Sequence, residues 1–376
     1  MFCGGDGFRQ AAQSPSTGGR WHVPFGVEEK PLLVALWEGE SDGKILGDYD
    51  TVVAQLEAGT LQLGKIDLVV WTPPCQDYTN VNDKRAGEQG PTGKFFADTP
   101  KFIRLLRRAH RVTAWAIEEV WEVTATRTFA DIVETLRLTN HHVAYGEVQF
   151  WLAGIPTTRA RLGLVAMHAP DMRHPGPFEL PGLVADATAA APPMPTLAPY
   201  LDPPEAIDAA LREDRALMDE LGDGHVQNAL PAVQVGRMRG PGTNRFVYST
   251  SAPALTLRAN IKKAEGLGGV TGLYLDAIGP RRLSMAEVLR LHGFPAEWAA
   301  TLPPWLCYHI AGNAVPAQWA AQVGRARPGS DSRTRGAGGE GVSLRQHLVR
   351  RRHTHEHVTA PRPCSPPPTS RDVTGA

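Results

Sequence analysis

Apolar runs of about six residues alternate with amphipathic stretches through the first 165 positions of the chain. His22–Val27, Ile66–Trp71, Val112–Ile117, Val143–Phe150 and Arg161–Ala166 each read as a strand. Between them, Lys101–Arg111 sets Phe102, Ile103, Leu105, Leu106 and Ala109 on one helical face, flanked by five basic side chains. Phe129–Leu138 repeats that pattern. Strands alternating with helices predict an α/β sheet with parallel strands. The texture changes after His168. Residues 170–204 are rich in Pro and Ala and suit an irregular connection, and Pro203–Leu221 reads as an acidic helix. Residues 222–280 are Gly-rich, with β-like pieces at Arg245–Ser249 and Ala254–Leu257. Ser284–His292 returns to helix, with Ser284 as cap and Glu287 three residues on. Pro316–Val323 is a last helix, and the Arg/Ser/Gly/Pro-rich chain beyond Arg325 has no periodicity and is expected to be disordered.

The 376 residues suit two domains, or one large domain with an insertion, and 42% apolar content can fill a core. No run approaches the ~18 apolar residues of a membrane helix. With no charged-then-apolar leader, a cytoplasmic protein is expected. Cys3, Cys75, Cys307 and Cys364 form no CxxC pair, which disfavours a zinc module or a disulfide framework. His353, His355 and His357 lie in the basic tail and are read as incidental, so no metal is expected.

Charge changes the picture. The 39 basic and 39 acidic side chains cancel, but not evenly along the chain. Residues 236–263 hold Arg237, Arg239, Arg245, Arg258, Lys262 and Lys263 with no acid, the pattern of a nucleic-acid contact surface or of a solvated loop.

Five segments carry candidate chemistry. Pro73-Pro74-Cys75-Gln76 follows a strand directly and sets a cysteine on a stiff loop at the carboxyl edge of a sheet, where open α/β sheets bind ligands. The plainer reading is a buried cysteine acting as a small hydrophobe. Glu118-Glu119 ends another apolar run; an acid there can serve as a general acid, although adjacent glutamates more often begin a solvated helix. Arg159 and Arg161, two apart on a strand, point the same way and suit a phosphate or a carboxylate, or surface ion pairs. Phe2–Phe8 is a Gly-rich turn before a helix, and Gly312-Asn313-Ala314-Val315 leads into the last one.

In this order the segments resemble the DNA (cytosine-5)-methyltransferases, over Phe2 to about Gly324. The resemblance implies a Rossmann-like, S-adenosylmethionine-dependent methyltransferase domain of the α/β class with a smaller, irregular target-recognition domain. Its boundaries would be 1–167 for the first catalytic part, 168–280 for recognition, 281–325 for the return segment and 326–376 for the tail. It makes Cys75 the nucleophile that adds to C6 of a flipped cytosine. Glu118 becomes the contact to N3 and the exocyclic amine, and Arg159 and Arg161 the holders of the nucleotide. Phe2, Gly4, Gly7, Glu28, Asp48, Pro74, Asn313 and Val315 fall on cofactor motifs. Gln76, Arg237, Arg239, Arg245, Arg258 and Thr256 fall where DNA would be contacted, Thr256 within a Pro-x-x-Thr segment. A monomer acting on double-stranded DNA is expected, with or without a cognate restriction endonuclease. The sequence departs from the family pattern at Asp6, Glu119 and Thr157, and little chain precedes Phe2 for a first strand. Two alternatives stay open: a tRNA cytosine-5 methyltransferase, and a weak or non-enzymatic remnant that binds DNA or cofactor.

Overall fold

The structure is a computed structural model. It describes residues 7–13, 22–39, 43–79, 86–171, 194–213, 216, 218–226, 232–238, 245–257 and 272–325. Phe2, Gly4, Asp6, Arg239, Arg258 and the tail 326–376 lie outside the described residues.

The elements of the first half are α1 (Gly7–Gln13), β1 (Phe25–Gly26), α2 (Pro31–Gly39), β2 (Lys44–Ile45), α3 (Tyr49–Ala58), β3 (Ile66–Trp71), α4 (Gly93–Ala97), α5 (Thr99–Ala109), β4 (Val112–Glu119), α6 (Arg127–Leu138), β5 (His141–Gln149) and β6 (Ala160–His168). Strands β3, β4, β6 and β5 form one sheet in that order. Alternate residues of β4 serve opposite faces. Trp115 and Ile117 join a core built with α3, α5 and α6, while Ala116 joins Phe8 of α1 and Trp319 of the last helix on the other side. The amphipathic face of α5 is buried at Phe102, Ile103, Leu105 and Leu106. Trp71 stacks on Phe102 at 4.5 Å and donates its indole N–H to Thr99, so the polar edge of a buried aromatic is satisfied.

Two expectations need correction here. Only β3 and β4 are parallel in this sheet; β4–β6 and β6–β5 are antiparallel. The short connection from Gln149 to Ala160 cannot make the crossover of a dozen or more residues that a parallel pair requires. The glutamates 118 and 119 do not begin a solvated helix. β4 runs through both, and they are 6% and 1% exposed.

The second half contains β7 (Met218–Val226), β8 (Val233–Met238), β9 (Arg245–Ser249), β10 (Leu273–Leu275) and β11 (Pro280–Arg281). Then come α7 (Met285–Leu291), α8 (Trp298–Thr301), α9 (Pro304–Asn313) and α10 (Ala317–Arg325). The five strands form a second sheet in sequence order reversed, with β9 and β10 parallel. The acidic helix expected over Pro203–Leu221 is not formed. Short 3-10 turns stand at Pro204–Ala206 and Ala209–Leu211, and β7 begins at Met218. Pro204 breaks the run, Asp208 turns back to accept from the Ala210 N–H, and Arg212 is drawn to the Pro204 carbonyl and to Asp276. Ala254–Leu257 is likewise not a strand; Ala254 makes a single bridge to Thr157.

This region packs on the return helices. Tyr248, Leu257 and Tyr274 share a core with Leu283, Val288, Leu291 and Tyr308. Beneath it Arg281 is fully buried and forks onto both oxygens of Glu287, at 2.8 and 2.9 Å, with its Nε on Asp276 at 2.8 Å. Glu287 also closes the expected capping box with Ser284 at the start of α7 and accepts from the Asp202 N–H. Replacing Glu287 by Ala should therefore cost roughly 3–5 kcal/mol, because it strands a buried guanidinium as well as uncapping a helix. Lys101→Ala, which breaks an exposed pair with Glu57, should leave the unfolding midpoint nearly unchanged. Urea unfolding of the two variants side by side checks the difference.

Candidate active site

A cleft opens at the carboxyl ends of β3 and β4. One wall is the loop Thr72–Gln76, another is Glu118–Val120 with Arg159 and Arg161, and the rest is built from Gly7, Phe8, Glu28–Lys30 and the end of α9 through Val315. It thus brings together Cys75, Gln76, Pro74, Glu118, Arg159 and Arg161 with Gly7, Glu28, Asn313 and Val315.

The cysteine loop is held from below. Asp77 is buried and accepts from the Thr92 N–H at 2.8 Å, the Thr92 hydroxyl at 2.5 Å and the Gly93 N–H at 3.0 Å. Burial works against its charge, but these bonds win and keep the carboxyl below its ordinary range. Tyr78 N–H returns to the Cys75 carbonyl at 3.0 Å. Cys75 itself is half-buried. Burial, followed by the charge of Glu119, pushes its thiol up to about 12, against the pull of Arg161 and Arg159. The nearby cations therefore do not make Cys75 a thiolate at rest.

Glu118 lies between two guanidinium groups. Its Oε1 is 3.2 Å from Arg161 Nε and 3.5 Å from Arg159 Nη2. Arg161 also donates to the Ala160 carbonyl at 2.7 Å. Glu118 and Arg159 are buried and Arg161 is only partly exposed, so these are not surface ion pairs; Arg159 is the more enclosed of the two arginines. It donates to the Gly312 carbonyl at 2.6 Å and to that of Asn313 at 3.5 Å, at the end of α9. Glu119 points its Oε2 at the Val120 N–H at 2.7 Å, and its Oε1 has no hydrogen-bond partner among the described residues. Burial first, and the charge of Glu118 after it, raise its carboxyl well above the ordinary range.

On the opposite side, buried Glu28 accepts from the Glu29 and Lys30 N–H groups, each at 3.0 Å. Gly7 passes so close to the chain that a Cβ there would meet the Val315 carbonyl oxygen at 1.8 Å. The resulting close backbone approach, with one buried acid in the same cleft, suits the chemistry of a nucleoside-like ligand such as S-adenosylmethionine. His309 was not among the expected residues. It lies 3.0 Å from Lys30 Nζ and 3.1 Å from Asn313 Nδ2, and burial with the Lys30 charge lowers it to about 4, so it is neutral. Its place one helical turn before Asn313 is the signal that could have found it.

Other expected residues are elsewhere. Asp48 caps α3, accepting from the Thr51 N–H at 2.8 Å. Thr256 donates its N–H to Thr158 at 3.0 Å. Arg237 is exposed on β8, its guanidinium 6.0 Å from the Phe246 ring centre, and Arg245 opens β9. No group of three metal-ligating side chains stands together among the described residues, and no described helix is long and apolar enough to cross a membrane.

Residues 1–327 match the family described as C-5 cytosine-specific DNA methylase. The chain is 22% identical over 250 residues to the type II methyltransferase M.SsoII of Shigella sonnei, covering 66% of this chain and 60% of that protein. It is 22% identical over 252 residues to M1.ScrFI of Lactococcus lactis subsp. cremoris, covering 66% and 59%. The match thus spans about three fifths of the length of these relatives. Among solved structures, Spodoptera frugiperda DNMT2 is similar in fold, with a TM-score of 0.60 and 13% identity over 86% of this chain and 97% of that one. So is the Entamoeba histolytica methyltransferase EhMeth, at 0.58 and 14% over 86% and 95%. By fold and by sequence over most of its length, this chain belongs to the C-5 cytosine-specific DNA methylase family.

Proposed function

We propose that this protein transfers a methyl group to C5 of a cytosine flipped out of a short target sequence in double-stranded DNA. The observation that supports it is the convergence of Cys75, Glu118 and Arg161 in one cleft, with Glu118 Oε1 3.2 Å from Arg161. Cytosine C5 is a weak nucleophile while the ring is aromatic. As Cys75 bonds to C6, its thiol proton passes to N3 by way of Glu118, which meets N3 and the exocyclic amine; the C5=C6 pair becomes a C4=C5 bond and the C4=N3 pair takes up that proton. Arg161 keeps Glu118 aimed and helps hold the nucleotide, and Arg159 fixes both from behind. C5, now enamine-like, would take the methyl group; water then takes the C5 proton, and as the C6–sulfur bond breaks N3 returns its proton, by way of Glu118, to the Cys75 sulfur. S-adenosylmethionine supplies the electrophilic methyl. Gly7, Glu28, Pro74, Asn313 and Val315 would hold it.

The region 168–280 would bind the duplex, with 281–325 completing the catalytic domain. Gln76, Arg237, Arg245 and Thr256 are the contacts assigned here among described residues. The protein acts as a monomer on DNA, as an orphan enzyme or beside a cognate endonuclease.

Labelled methyl should reach C5 of cytosine in duplex DNA, and Cys75→Ser should lower that transfer at least about a thousandfold. Full activity in the variant excludes the covalent route. Transfer to tRNA in preference to duplex DNA makes it an RNA enzyme, and calorimetric cofactor binding without turnover on any nucleic acid marks it as a remnant. Separately, Arg237→Ala should weaken duplex binding and flatten the plot of log K against log salt by about one unit. An unchanged slope removes Arg237 from the phosphate contacts.

A further inference from the structure

The side chains around Cys75 divide into paired and unpaired charges. Arg159 and Arg161 both point at a single oxygen of Glu118. Glu119, the next residue, has no such cation. One oxygen accepts from the Val120 N–H, and the other is buried with no hydrogen-bond partner among the described residues. A carboxylate in that position would be a buried charge with no ion pair of its own among the described residues, offset only from a distance by the two arginines that Glu118 already holds, and burial favours keeping its proton on. Yet Glu119 lines the same cleft as Cys75, and its charge weighs on the thiol more than either arginine does.

We propose that Glu119 is a positioning residue that governs Cys75 through its own proton: as a neutral acid it leaves the cysteine competent, and as a carboxylate it holds the cysteine as thiol. The inference rests on Cys75 being the nucleophile. The charge count carries it. With Glu119 neutral, two guanidinium groups face one carboxylate, and the remaining positive charge is matched when Cys75 loses its proton. With Glu119 ionised, the group is already neutral, and a thiolate would leave it negative.

The other groups on the elements packed here do not disturb the count. On the cysteine loop, Tyr78 donates its hydroxyl to the Gly93 carbonyl, and Asp77 is taken up by Thr92 and Gly93. Glu88 accepts from the Thr128 hydroxyl. Across the cleft, Lys30 lies against His309, and Glu28 accepts from the backbone of α2's approach.

The sign follows from Glu119 being raised. Below its titration the wild type and a Glu119→Gln variant have the same charge. Above it only the wild type gains a negative charge beside the sulfur. Iodoacetamide labelling of Cys75, followed by mass spectrometry of its peptide in the full-length protein, reads this directly. The two proteins should react within about twofold of each other near pH 6.5, and the variant at least about tenfold faster near pH 9.5. Glu119→Asn, a second neutral amide, should follow Glu119→Gln. In infrared spectra a carboxylic-acid C=O band absent from the variants should be present at pH 7 and fade where the rates part. Coincident labelling profiles over pH 6–10, or no such band at pH 7, overturn the proposal. Diverging profiles in a protein that methylates nothing would keep it and remove the enzymatic reading; coincident profiles in an active methyltransferase would do the reverse.

Discussion

Arg159 is a buried cation that the surrounding chain must neutralise on two sides. It meets Glu118 at the end of β4 and the last carbonyls of α9, residues 312 and 313, more than 150 positions further on. The free carbonyls at a helix end carry partial negative charge, so a guanidinium there is matched to both neighbours. Removing either neighbour would leave a buried charge unbalanced. That requirement pins the return segment to the sheet. It also fixes the distance between the cysteine side of the cleft and the side built from Gly7, Glu28 and Asn313.

Much of this was legible in the sequence where one local signal sufficed. Ile66–Trp71 is the strand its apolar run predicts, and Pro73-Pro74-Cys75 follows it into the cleft. Ser284 and Glu287 form the capping box their spacing promises. The failures fall where a local pattern met a long-range demand. Strand–helix alternation says nothing about the short return from β5 to β6, so two of the sheet's three pairings are not legible in it. The acid-rich stretch after Pro203 has helical composition, but Asp208 and Arg212 find better partners outside a helix. Asp77 and His309 carry no motif; only folding shows that one holds the cysteine loop and the other lines the cleft.

Charge at the centre was the least readable property. Two arginines next to a cysteine suggest an activated thiolate, yet burial outweighs them and leaves a thiol. Identical side chains at 118 and 119 differ because alternate positions on a strand face different neighbours. One meets guanidinium groups and the other a single backbone N–H. A sequence shows the pair; the strand's period separates their chemistry.

Residues Pro253–Leu257 are sewn to the chain just ahead of Arg159. Ala254 exchanges backbone hydrogen bonds with Pro156 and Thr158, and the Thr256 N–H donates to the Thr158 hydroxyl. This joint limits modularity. A region that follows residue 168 looks exchangeable for one of another origin, but a graft that replaced the whole of 168–280 would carry away the strip that braces Thr157 and Thr158. The natural seam for such an exchange lies inside the region, ahead of Pro253, so that the brace stays with the arginines it supports.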